Sequence, residues 1–70
     1  MGVLVESGAI NWAGGTVATA TGIDPDTGDT VVFAGDWRPM ADLATFLLEE
    51  GETLVDVEEW AILSRTPAAA

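Results

Sequence analysis

TVATATGIDPDTGDTVVFA, Thr16 to Ala34, decides the fold. In its first half Val17, Thr19, Thr21 and Ile23 fall on one face of an extended strand, and the small Ala18, Ala20 and Gly22 fall on the other. A face built of Ala and Gly permits close approach by a helix or a partner. Asp24-Pro25-Asp26-Thr27-Gly28 then carries hairpin chemistry: proline pre-sets φ at the second position, aspartate bonds nearby backbone, and glycine takes positive φ. Thr30 to Ala34 follows as the return strand, with Val31 and Phe33 on one face and Val32 on the other. Two strands about a tight turn require an antiparallel sheet.

Upstream, Val3-Leu4-Val5 and Ala9-Ile10-Asn11-Trp12 read as one strand interrupted near Ser7-Gly8, or as two short pieces, with Gly14-Gly15 turning into the next strand. Downstream the texture changes at Asp36. Pro39 suits a first helical turn and Gly51 stops the helix after Glu50. Met40, Leu43, Ala44, Phe46, Leu47 and Leu48 fill an arc of roughly 200° on that helix, wider than one sheet face requires. The last strand runs from about Thr53 to Ser64, but strict alternation fails within it. A bulge at Glu58-Glu59 restores it, bringing Val55, Val57, Trp60 and Ile62 to one face. The expectation is β-β-β-α-β, an α+β fold with one helix packed on a small antiparallel sheet, in a single domain over residues 1–65, and a disordered tail over 66–70.

Composition bounds the chemistry. The 70 residues carry 2 Lys+Arg against 12 Asp+Glu, a net charge of −10, yet 49% of them are apolar. That combination describes a folded acidic minidomain rather than a disordered chain. With one short domain, extra burial in a dimer or partner complex is a natural source of stability. The sequence has no Cys, His or Lys, which removes disulfides, thiolate metal sites and the commonest acid–base groups. Two arginines do not neutralise a phosphate backbone or an anionic membrane, so direct nucleic-acid or lipid binding is not expected, and a negative surface prefers a positive partner. No apolar run reaches the roughly 20 residues of a membrane span and no secretory signal is evident, which makes the cytoplasm the expected location.

The segment Asp24 to Asp29 superficially resembles a calcium loop, but Gly28 comes too early and no distal Glu follows; turn chemistry accounts for every residue. Glu49-Glu50 and Glu58-Glu59 are the available carboxylate pairs, without a cleft or an assisting base, so no enzyme, metal or cofactor is expected. Two groups remain. Glu49, Glu50, Glu52, Asp56, Glu58 and Glu59 place six of the twelve acids within eleven residues. They form either a solvated face that keeps the domain soluble or a docking surface for a basic groove. On a strand, Asp56 and Glu58 stand about 7 Å apart, a spacing comparable to that of successive phosphates. The second group is aromatic. Phe33 and Phe46 read as core, whereas Trp37, beside Arg38, reads as either an exposed interface anchor or a lid with Arg38 paired to Asp36.

These features point to a non-enzymatic acidic protein-binding module. Its most specific form is an inhibitor or DNA mimic, of the size and acidity that phages encode, docking on a basic nucleic-acid-binding protein; the similarity is one of composition alone. The alternative is a structural or assembly subunit, such as a phage virion component, that forms a homo-oligomer through the apolar helix face or a strand edge.

Overall fold

A computed structural model describes residues 2–12 and 17–68. In chain order its elements are β1 (Gly2–Glu6), β2 (Ile10–Asn11), β3 (Val17–Ile23), β4 (Thr30–Asp36), α1 (Trp37–Glu50), β5 (Glu52–Asp56), a 3-10 turn (Val57–Glu59) and β6 (Ala61–Thr66). The strands pair antiparallel throughout, in the order β5-β1-β3-β4-β6, and β2 also pairs with β3. The expected α+β fold, one helix on a small antiparallel sheet, is therefore present.

β1 and β2 are two halves of one interrupted strand on the same neighbour. Leu4 pairs with Ile23, and Ile10 with Ala20. Five intervening residues on that side thus face two of β3, and the excess is absorbed at Ser7-Gly8, where Gly8 has φ +87° and the Ala9 N–H donates to Glu6 O at 3.2 Å. The hairpin turn closes as its residues demand: the Asp26 N–H donates to Asp24 Oδ1 at 2.9 Å and the Gly28 N–H to Asp24 O at 2.7 Å. Gly14-Gly15 lies outside the described residues.

The segment Thr53 to Ser64 is not one bulged strand. Alternation fails because the 3-10 turn divides it into strands at opposite edges of the sheet, β5 against β1 and β6 against β4. In a flat sheet those edges would stand about 19 Å apart, four spacings of about 4.8 Å. A 3-10 turn advances only about 2 Å per residue, so the sheet must curl to bring its edges within reach. A register shift does occur, but further along, between Val32 and Phe33 of β4 against β6. Nor does the chain become a tail at residue 66, since Thr66 pairs with Thr30 and the Ala68 N–H donates to Asp29 Oδ1 at 3.3 Å.

The concave side of the curl holds the core. Val3, Val5, Ala18, Ala20, Val31, Phe33, Val55 and Val57 line it, and Met40 and Leu47 enter from α1. The small-residue face of β3 is the inner one, where Ala18 and Ala20 let the helix approach. Trp60, directly after the 3-10 turn, closes the opening: its ring meets Phe33 edge-on at 5.3 Å and lies over Gly35, where an added Cβ would come within 2.2 Å of it. A concave face this narrow receives a stripe of the helix, not a wide arc. On α1 only Met40 and Leu47 are fully buried, with Leu43 and Ala44 half-buried beside them. Phe46, expected in the core with Phe33, is instead 46% exposed, and Leu48 is 81% exposed. The helix ends where Gly51 takes φ +83° and its N–H returns to Leu47 O at 2.8 Å.

Candidate partner-binding surface

The pleat of β5 turns Val55 inward against Val3 and sends Glu52, Leu54 and Asp56 outward. Opposite them on β1 stand Glu6, Leu4 and Gly2 in register. Glu6 and Glu52 are therefore direct cross-strand neighbours, both exposed, two like charges in a position where opposite charges would stabilise the pair. The Ser7 N–H donates to Gly51 O at 2.7 Å, fastening the end of β1 to the helix–strand turn and setting Glu49 and Glu50 beside this pair. Between the acids runs an apolar row: Leu54, 62% exposed, pairs with Leu4, which pairs with Ile23, 45% exposed. Where β1 leaves β3, a groove of about 380 Å³ opens beside the row, lined by Leu4, Glu6, Thr21 and Ile23 among others.

The run of six acids is thus split by the fold. Glu49, Glu50 and Glu52 gather with Glu6 at one end of β5, and Asp56 and Glu58 lie at the other. Asp56 and Glu58 do not have strand spacing, because Glu58 belongs to the 3-10 turn and its N–H donates to Asp56 Oδ1 at 3.1 Å. Asp56 caps that turn. The side chain of Glu59 lies outside the described residues. Trp37 and Arg38 open α1 rather than occupying a loop, roughly 18 Å along the helix from Glu49 and Glu50, so they are not part of the acidic surface. Trp37, 51% exposed, packs on Trp12 with ring centroids 4.6 Å apart, tilted by 59°. The ion pairs among the described residues belong to Arg65, and Arg38 forms none with Asp36. Glu6, Leu4 and Leu54 are absent from the sequence candidates, although inward-facing Val3 and Val5 already place Leu4 and Glu6 outward.

A second feature invisible in the sequence explains the turn acids. Asp24 is 3% exposed, and Arg65, arriving on β6, donates from Nη2 to Asp24 Oδ2 at 2.6 Å and from Nε to Asp29 Oδ2 at 2.7 Å. The Arg65 guanidinium, helped by the Asp26 N–H, holds the Asp24 carboxyl below its ordinary value of 3.8. A carboxylate with a depressed folded pKa contributes stability that is complete above its unfolded value and lost as pH falls through the folded one. Comparison with Arg65→Met isolates the clamp: the fall in urea midpoint between about pH 6 and about pH 2 is expected to be smaller in the variant than in the wild type.

Among the described residues no three acids converge as metal ligands would, and no helix is long and apolar enough to cross a membrane. Comparison with protein-family models, curated proteins and solved structures found no match for this chain.

Proposed function

We propose that this domain is a non-enzymatic protein-binding module whose outer β5–β1 face docks a basic partner. The observation that carries the reading is the Glu6–Glu52 pair. Like charges in direct cross-strand register cost the free domain stability, and the places where a fold breaks a local rule are often those set by function. A cationic partner removes that cost on binding. The adjoining Leu54-Leu4-Ile23 row supplies apolar contact, and Glu49, Glu50 and Asp56 extend the negative field that steers association. A basic nucleic-acid-binding protein, held as by an inhibitor, is the class of partner whose surface best complements a chain of net charge −10. Because Asp56 and Glu58 lack strand spacing, imitation of a phosphate row gains no support from them; the support is charge and its placement.

Glu52→Lys tests this by separating stability from binding. Replacing the like-charge pair by an ion pair is expected to stabilise the free domain by about 0.2–1 kcal/mol in urea denaturation. The same change should weaken titration with a synthetic amphipathic Lys/Leu peptide by at least about tenfold at low salt. A variant that is more stable and binds the peptide unchanged contradicts the proposal.

A further inference from the structure

The two edges of the sheet differ in a way that assigns the second one a different partner. Among the described residues β6 pairs with β4 alone, and all six of its residues are exposed, including Ile62 and Leu63 at 48% and 59%. Residues 60–68 contain no Asp or Glu. Asp24 and Asp29, on the hairpin turn beside β6, are both engaged by Arg65, and Glu58 and Glu59 belong to the 3-10 turn before the strand rather than to the strand itself. The β5 edge is the reverse, with Glu52, Asp56 and the neighbouring Glu6 turned outward. Edge strands without like charges turned outward are templates for further strand pairing, whereas such charges on an edge prevent it, and the one charged residue of β6, Arg65, is held by Asp24 and Asp29.

We propose that β6 is a self-association edge, pairing antiparallel with β6 of a second copy about a two-fold axis near Ser64. A chain of net charge −10 repels its own copy over most of its surface, and β6 is the approach on which that repulsion is least. The pairing is self-complementary, as a two-fold interface requires. Centred on Ser64, it sets Arg65 of each copy opposite Leu63 of the other, so the two cations do not face one another. Ile62 and Leu63 are covered, and the Glu6–Glu52 pair lies at the end of β5 remote from the 3-10 turn that leads into β6. Screening the residual repulsion strengthens this contact, whereas it weakens docking of a basic partner, so the two proposals respond to salt in opposite directions and fail separately.

Sedimentation equilibrium of the full chain at low and high salt tests it. The expected result is a species of twice the chain mass that becomes more populated with salt. Leu63→Lys combined with Ser64→Lys is expected to raise its dissociation constant at least about tenfold, while Leu54→Lys on the opposite edge leaves it unchanged. Amide exchange of the wild type supplies a readout independent of any variant: alternate β6 amides should gain protection as concentration rises. A monomer at millimolar concentration in high salt overturns the proposal, as does a dimer that Leu54→Lys dissociates or β6 protection that does not depend on concentration.

Discussion

Gly22→Val is expected to leave the chain unfolded at room temperature, and Gly22→Ala to cost about 3 kcal/mol or more in urea denaturation. Gly22 is buried where β3 pairs with β1, next to the Leu4–Ile23 pair. An added Cβ would lie 2.2 Å from Val3 Cγ1, 2.8 Å from Leu4 O and 3.1 Å from Val5 Cγ2. Val3 and Val5 are both 0% exposed, so neither can swing aside, and a backbone carbonyl cannot move without shifting its strand. A domain of this length holds only about 4–10 kcal/mol in total, which the two further methyls of valine exhaust. Gly8→Ala is the contrasting case. Its φ is +87° but an added Cβ would meet nothing within 4 Å, so the expected loss is backbone strain alone, about 1 kcal/mol. A Gly22→Ala variant as stable as Gly8→Ala would refute the packing described for the β1–β3 contact.

Gly22 also marks how far local pattern carries in this chain. The alternation of Val17 to Ile23 and the hairpin residues Asp24 to Gly28 are short-range signals, and they specify β3, its turn and β4 unaided. Pro39 and Gly51 do the same for the helix. What the pattern cannot supply is which strand edge each later segment joins. Val55 and Val57 on one side of Glu58-Glu59, and Trp60 and Ile62 on the other, read equally well as one bulged strand, because periodicity records which face a residue turns to and not which neighbour it pairs with. The curl of the sheet, which brings the two edges within reach of a 3-10 turn, is a collective property of five strands. The exposure of Phe46 has the same origin: its hydrophobicity is plain, but the width of the concave face that could bury it depends on that curl.

The candidate surface is legible in composition and illegible in grouping. Six acids in eleven residues announce an acidic region. Their division between the two ends of β5, and the recruitment of Glu6 from far earlier in the chain, follow from the β1–β5 register. Asp24 and Asp29 contribute to the same net charge, yet Arg65 withdraws both from recognition. The Arg65–Asp24 pairing spans 41 residues and has no local signal.

The second large effect is on binding. In the proposed docking mode, Glu6, Glu52 and Asp56 meet the cationic partner from one face, while Asp26, Asp36 and Asp42 are exposed acids elsewhere on the domain. Glu6→Gln, Glu52→Gln and Asp56→Asn together remove three charges from the face, and the amide oxygen that Asp56→Asn introduces retains an acceptor for the cap on the 3-10 turn. Asp26→Asn, Asp36→Asn and Asp42→Asn remove the same net charge from outside it. If only total charge matters, the two triple variants bind alike. If the β5–β1 face is the docking surface, they part sharply, since desolvated contact charges set dissociation whereas distant ones act only through a screened field. The most direct test is therefore calorimetric titration of both triple variants with the amphipathic Lys/Leu peptide at low salt. The face variant should bind at least about tenfold more weakly than the wild type and the charge-matched control within about twofold of it; equal loss in the two variants would contradict the docking face.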